Sequence, residues 1–463
     1  MASKSMGDFQ LSGAYRPVAA LFAIAVLTGC APKFSNLGPC AVCFGPPTQV
    51  SLEGNLSGLV GSRLTLQNNG TGGVQLNGAA SNGTSVAFAS APFNTAYNLT
   101  VQTQPTNPSQ TCVVANGTGT AGTSDVTNIA VTCTTNPPRF AYVANRGSNN
   151  ISAYSVDAAT GALTAIAGSP FAAGTLPVAI AVDPTGSYAY TANQMDATIS
   201  AFTIDRTSGA LTSVSGSPFA TGASPTSVAI DPSTSFVYVT NGSANTVSAY
   251  SITANSGALT AVTGSPFTTG NSPAAVTVNP LGEDVYVANQ SDGTVSDFSI
   301  DNGTLTAVSG SPFATGMGPR ALGSDPSGQY VYIADSTANS LWGLSSGTEI
   351  QGSPYPTGTT PSSVAVDPVG NFLYVANQGS NNISAFAFGV GGSLTVVGGS
   401  PFPSATQPSS VAVDPTGMFT YVVSSGSDTV FVYSIDATSG ALTPIAGSPF
   451  VTGTQPSAIA ISD

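Results

Sequence analysis

Arg320 stands in the run Gly318-Pro319-Arg320, and the polar group that follows it on the next apolar stretch is Asp335. A guanidinium can polarise a carbonyl or hold a carboxylate, and an aspartate can serve as the base that activates water. An aspartate titrates near about 3.9, however, and an arginine neighbour lowers that further. The pair is therefore a poor acid–base couple at neutral pH, and an Arg320–Asp335 ion pair is the plainer expectation. The chain has no histidine to take over the role. Arg146, Asp196, Asp292 and Asp428 are the other groups placed to meet a ligand, for reasons of strand order given below. No metal-ligand set and no cofactor motif accompanies them, so neither a metal nor a cofactor is expected.

Composition narrows the partners. Of 463 residues only 6% are charged, and Lys+Arg number 8 against 21 Asp+Glu, a formal net charge of −13 that argues against nucleic acid. At the N-terminus Lys4 and Arg16 precede the apolar run from Val18 to Leu27, which is too short to span a bilayer and long enough for a signal core. The small residues leading into Cys30 resemble the lipobox of bacterial lipoproteins. That resemblance implies cleavage after residue 29 and acylation of Cys30, an anchor that needs no spanning helix. Residues 30–47 then read as a lipidated tether rich in Pro and Gly. Four cysteines remain of the five, an even number suited to an oxidising compartment. Cys112 and Cys133 lie in two strand-like runs and would close a loop as a disulfide; Cys40 and Cys43, set among turn formers and without a histidine to complete a zinc site, read as a local disulfide.

Residues 48–135 alternate apolar and polar positions with Gly and Asn between the runs, which predicts a small β-sandwich, and its strand pattern resembles the immunoglobulin-like or prealbumin-like spacers of bacterial surface proteins. Residues 139–463 are a repeat array. Gly-Ser-Pro-Phe, once as GSPY, begins at Gly168, Gly216, Gly264, Gly310, Gly352, Gly399 and Gly447, and Tyr-Val-Ala-Asn or a variant begins at seven tyrosines from Tyr142 to Tyr421 spaced by 42 to 48 residues. Each unit holds four strand runs, as one blade of a β-propeller requires. The first copy, starting at Phe140, lacks an innermost strand, while Pro456 to Ile461 is an innermost strand without partners. The two should pair and close a seven-bladed ring.

Strand order then assigns the candidates to one end of the ring. Joins between second and third strands share a mouth with the joins between blades, which puts Arg146, Asp196, Asp292, Asp428, Asp335 and Arg320 on that mouth. Asp183, Asp231, Asp325, Asp367 and Asp414, each before proline, read as turn caps; Asn145, Asn193, Asn241, Asn289 and Asn377 read as caps of the joins. Asp297, near Asp292 and Asp301, reads as part of a solvated edge, and the GSPF aromatics as packing between blades.

The YVAN markers, the blade count and the Pro-x-x-Val-Ala-Val-Asp-Pro-x-Gly runs resemble the YVTN-repeat and lactonase-type seven-bladed propellers over essentially all of residues 139–463. Lactonases of the 6-phosphogluconolactonase type carry Gly-Pro-Arg-His followed by Asn-Glu-Leu on the next strand, with the Arg, His and Glu lining the active site. Here Gly318-Pro319-Arg320 matches, Ala321 stands at the histidine, and Asp335-Ser336-Thr337 stand at Asn-Glu-Leu. The resemblance thus implies a fold, and one surviving group of the three.

The expectation is an all-β protein: a monomeric seven-bladed propeller behind a small β-sandwich, exported and held at the envelope by lipid, with Ala31 leaning toward the outer membrane. Its expected role is binding of an envelope ligand or protein through the mouth of Arg146 and Arg320. Lactone hydrolysis by Arg320 and Asp335 is the alternative, and a purely structural surface protein is the second.

Overall fold

The computed structural model describes residues 48–462 apart from 107 and 138, and this part of the chain is one compact unit. The signal segment, the tether, Cys30, Cys40 and Cys43 lie outside the described residues. No helix among the described residues is long and apolar enough to cross a membrane.

Residues 48–135 form two four-stranded sheets, one ordered Gly83–Pro92, Gln49–Ser57, Val126–Thr135, Gln110–Ala115 and the other Thr71–Leu76, Leu64–Asn68, Ala96–Thr103, Thr118–Thr120. Alternate residues of both, such as Leu52, Leu66, Phe88 and Leu99, meet in a single core, as a sandwich requires. Cys112 lies directly opposite Cys133 on neighbouring strands, and the two are joined as a disulfide.

Seven further sheets follow. Blade 1 is built from Phe140–Asn145, Asn150–Val156 and Leu163–Ala165, with the last strand of the chain, Pro456–Ser462, innermost; Pro456 pairs with Asn145 and Ser462 with Phe140. Blades 2 to 7 begin at the innermost strands Pro177–Val182, Pro225–Ile230, Pro273–Val278, Pro319–Ser324, Pro361–Val366 and Pro408–Val413. The ring is therefore closed by the tail, as the incomplete first copy predicts. Second strands such as Phe236–Asn241 are buried on both faces because each is flanked by the sheets of two neighbouring blades, which is why they read FVYVTN instead of alternating.

The outer edge departs from four continuous strands. Each outermost strand is three residues or so, breaks at the Gly-Ser-Pro turn, and resumes as a two-residue piece beginning at the aromatic, such as Phe171–Ala172. The physical reason lies in the serine: Ser169 Oγ accepts the third-strand amide of Ala153 at 2.9 Å, and Ser217, Ser265, Ser311, Ser353, Ser400 and Ser448 do the same in their blades. A hydroxyl thus takes the place of a ladder carbonyl, and the Ser-Pro bond is cis in all seven copies. Phe171, Phe219, Phe267, Phe402 and Phe450 pack against the inter-blade cores, in line with the sequence reading.

The two mouths differ. At one, the Asp-Pro turns join first to second strands, and each aspartate is buried while its carboxylate accepts turn amides; Asp183 Oδ1 takes those of Ser187 and Tyr188 at 2.7 and 2.6 Å. Burial nonetheless raises the pKa of Asp367 and Asp414. The sandwich sits over this mouth. Ser62 Oγ donates to the Pro280 carbonyl at 2.7 Å and Thr106 Oγ1 to that of Pro232 at 3.1 Å. Pro108 and Ser109 face a cavity of about 280 Å³ whose floor is Pro184, Pro280, Pro326 and Pro368.

Asp297 corrects the sequence reading. It belongs to the strand Thr294–Asp301 and is buried at 4% exposure, opposite Tyr286, where other blades carry Ala153, Ala201, Ala249, Gly343, Ala385 or Val432. A third strand of a propeller is covered on both sides, so charge in its middle has no solvated edge to reach. Its Oδ1 lacks a hydrogen-bond partner among the described residues. Burial first, and then Asp284, push its pKa up to about 7. The unfolded chain releases that proton near about 3.9, so stability is greatest below that pH, falls as pH rises, and is least above the folded value. Replacing Asp297 with the alanine of other blades should raise the melting temperature at pH 8, by a free energy on the order of 4 kcal/mol at most. The advantage should shrink toward nothing at pH 4, which calorimetry at the two pH values checks; an equal gain at both would refute the assignment.

Candidate functional site

The open mouth is built from three recurring positions. The first is the second residue of each innermost strand. Register steps by one residue there, between Pro319 and Ala321 in blade 5 and at the same place in the others, so this residue is a bulge whose side chain is released from the ladder. Four of these residues are hydroxylated and donate to the proline carbonyl that starts the next blade: Thr226 to Pro273 at 2.7 Å, Ser362 to Pro408 at 2.8 Å, Ser409 to Pro456 at 2.9 Å and Ser457 to Pro177 at 2.8 Å. Val178, Ala274 and Arg320 occupy the other three.

The second position follows the residue that ends each second strand, an asparagine in blades 1, 2, 3, 4 and 6, and holds Arg146, Gln194, Gln290 and Gln378 in blades 1, 2, 4 and 6. The asparagine beneath is buried and closes a fixed network. Asn193 Nδ2 donates to Thr198 Oγ1 at 3.0 Å and Ser200 Oγ at 2.9 Å, while its Oδ1 accepts the Gly174 amide at 3.1 Å. The third position precedes the innermost strand and gives Gln407 and Gln455, both with positive φ. Together these positions enclose a cavity of about 680 Å³ at the ring axis.

Arg146 and Arg320 both line it, as expected from strand order. Arg320 reaches across to blade 6, donating from Nη1 to Gln378 Oε1 at 3.1 Å. Burial lowers its pKa, the sign of a guanidinium partly stripped of water. Arg146 is exposed, and its backbone amide binds the Gln455 carbonyl at 3.0 Å.

The carboxylates do not join them. Asp335 is fully buried at the end of its strand, where its Oδ1 accepts the amides of Thr337 and Ala338 at 2.8 and 2.7 Å. Arg320 therefore pairs with an amide and not with Asp335, contrary to the ion pair expected from sequence, and Asp335 does not line this cavity. Asp196 Oδ2 accepts the Thr175 amide at 2.6 Å, and Asp428 Oδ1 accepts that of Gln455 at 2.7 Å. Asp292 takes both the amide and the side chain of Asn271, bonds that hold its carboxyl below the usual carboxylate range. All three tie one join to the next instead of lining the cavity. No group of three or more possible metal ligands is present among the described residues.

Blade 5 departs furthest from the repeat. Asp335, Ser340 and Trp342 stand where blades 1, 2, 3, 4 and 6 have Asn, Thr or Asn, and Ser, and where blade 7 has Ser424, Thr429 and Phe431; Asp335 Oδ2, Ser340 Oγ and Trp342 Nε1 are buried without partners among the described residues. Gly316 leaves the space for this arrangement, since a Cβ there would overlap Asp335 Oδ2 and lie 2.7 Å from Trp342 Nε1.

A family model of the seven-bladed β-propeller lactonases matches residues 95–221, 220–349 and 344–460. The chain belongs to that family. No curated protein sequence matches it. Among solved structures, a putative 6-phosphogluconolactonase of Bacteroides fragilis is similar with a TM-score of 0.63 at 19% identity, over 71% of this chain and 99% of that one. A protein of Lactobacillus plantarum matches with a TM-score of 0.61 at 23% identity, over 71% and 100%. The periplasmic gluconolactonase of Pseudomonas aeruginosa matches with 0.60 at 19%, over 70% and 98%. At these identities the likeness establishes the fold. Within the family's motif Arg320 is kept on the cavity wall, Ala321 beside it offers no proton carrier, and Ser336 Oγ is turned to the Gly318 carbonyl at 3.0 Å.

The glutamines escaped the sequence reading because an amide in a polar join looks like any solvated loop residue. Their signal was positional: Gln194, Gln290 and Gln378 share the place of Arg146. The blade 5 arrangement makes a prediction of its own. Gly316→Ala should destabilise the protein by roughly 1–3 kcal/mol through overpacking and shift the emission of Trp342, the single tryptophan. Gly398→Ala, where a Cβ meets nothing within 4 Å, should do neither.

Proposed function

We propose that the propeller is a binding module for small anionic ligands, displayed at the bacterial envelope by a lipid on Cys30. The observation that carries this reading is the cavity of about 680 Å³ whose ionisable lining residues are Arg146 and Arg320 alone. Neither has a carboxylate partner among the described residues, so a bound anion would supply the missing charge and offset the desolvation of Arg320. The covered opposite mouth supports access from this side only.

Lactone hydrolysis is the second reading, favoured by family membership and by the kept Gly318-Pro319-Arg320 run. It lacks a proton acceptor: no carboxylate, imidazole or thiol lines the cavity.

A soluble form beginning at Thr48 should bind gluconate by calorimetry, and Arg320→Gln should weaken that binding by tenfold or more, the loss of a charge-assisted pair. The same protein should leave glucono-δ-lactone at its spontaneous rate of opening. Hydrolysis above that rate, abolished by Arg320→Ala, would replace the binding reading by the enzymatic one. For the anchor, full-length protein made in cells fed a labelled fatty acid should take up label, and Cys30→Ser should not.

A further inference from the structure

We propose that the mouth is a two-point clamp for a small hydroxylated dianion of the sugar-diacid class, with Arg320 taking one carboxylate and Arg146 the other. The inference rests on the anion-binding reading above and adds to it a second anchoring point and a ligand shape.

Position comes first. Arg146 lies on blade 1 and Arg320 on blade 5, and along the shorter way round the ring blades 6 and 7 stand between them. Two guanidiniums meant for a single carboxylate would occupy neighbouring blades. The arc between them is the more polar side of the cavity: Gln378, Gln407 and Gln455 supply amides and Ser362, Ser409 and Ser457 supply hydroxyls, against Gln194, Gln290 and Thr226 on the longer arc. Those three hydroxyls already donate to proline carbonyls, so toward a ligand they can only accept. Acceptors suit the hydroxyl groups of a ligand and disfavour further anionic ones. At the corresponding bulge positions the longer arc offers Val178, Thr226 and Ala274, one hydroxyl against three.

Charge sets the size. The described residues contain five arginines and no lysine, and two of the five share this cavity in a chain of net charge −13. The field of the whole protein repels an extended polyanion, while a short dianion that enters the cavity meets positive charge alone. A volume of about 680 Å³ suits a small molecule. No aromatic side chain lines the wall, so a neutral sugar finds no ring face to cover it and must rely on hydrogen bonds that compete with water.

The test uses the chain beginning at Thr48 and four probes in calorimetry: galactarate, gluconate, galactitol and polygalacturonate. Galactarate should bind about tenfold tighter than gluconate, the worth of one further charge-assisted pair, and the other two should not bind measurably. Arg146→Gln, an exposed position whose folding is verified by thermal melting, should cost galactarate about tenfold and gluconate markedly less. Arg320→Gln should weaken both. Equal affinity for the two acids, or an Arg146→Gln variant that weakens both alike, overturns the clamp while the anion-binding reading stands. If polygalacturonate binds best, the mouth is a polyanion site and the clamp is overturned. Failure of both small acids overturns the reading beneath it as well.

Discussion

The antiparallel pairing of Pro456–Ser462 with Phe140–Asn145 is the contact on which the rest depends. It joins residues more than three hundred positions apart in sequence, so its closure entropy is large, yet that cost grows only logarithmically with the chain enclosed. In return it removes two open sheet edges and buries Val143, Tyr421 and Ile459 in one core between blades 7 and 1. Ser457 then donates to Pro177 of blade 2, so the closing strand also carries the link onward. Without that strand there is no axis, and the cavity of Arg146 and Arg320 would have a gap where Gln455 and Ser457 now stand.

Closure makes the blades near equivalents, and equivalence gives deviations their meaning. In blades 2, 3 and 4 both polar atoms of the buried asparagine are engaged, and second-strand tyrosines reach the next blade, as Tyr142 does to the Gly209 carbonyl at 2.9 Å and Tyr374 to that of Gly440 at 3.0 Å. Blades 4 and 5 depart from the repeat elsewhere, with Asp297 and with the trio Asp335, Ser340 and Trp342. Both blades also have shortened outer hairpins, Asp301-Asn302-Gly303 and Ser345-Ser346-Gly347, and Tyr238, which packs toward the first of these, has no hydroxyl partner among the described residues.

The markers made the fold legible because each is tied to a repeated backbone need: the GSP serine to a third-strand amide, the Asp-Pro turn to the amides that follow it, the Tyr-Val-Ala-Asn tyrosine to the neighbouring hairpin. Blade number, closure and the assignment of Arg146 and Arg320 to one mouth followed from those alone. The roles of the carboxylates did not follow. Asp335 ends a strand on the right mouth, but the loop carrying Thr337 and Ala338 folds back to donate to it, and sequence does not show which way a join closes. Asp297 misled for the opposite reason, since a nearby Asp292 and Asp301 suggested an exposed face whereas the middle of the strand is covered on both sides, with Val295, Ser296, Asp297 and Phe298 all buried.

Arg320 stands where four other blades place a hydroxyl that staples one blade to the next. Removing such a staple costs about 1 kcal/mol, and a long cationic side chain facing an axis adds desolvation. The structure answers the first cost with the bond from Arg320 to Gln378, which runs from blade 5 to blade 6 and so spans the joint that the hydroxyl would have closed. A guanidinium has five N–H donors, and the staple uses one. The remainder belong to a rigid group, fixed at its base by a bulge and near its tip by a glutamine, that faces a cavity with no acid on its wall. A hydroxyl would have spent its only donor on the joint. Exchanging it for arginine keeps the ring together and leaves charge to spare, and on that surplus the proposed binding of anions rests.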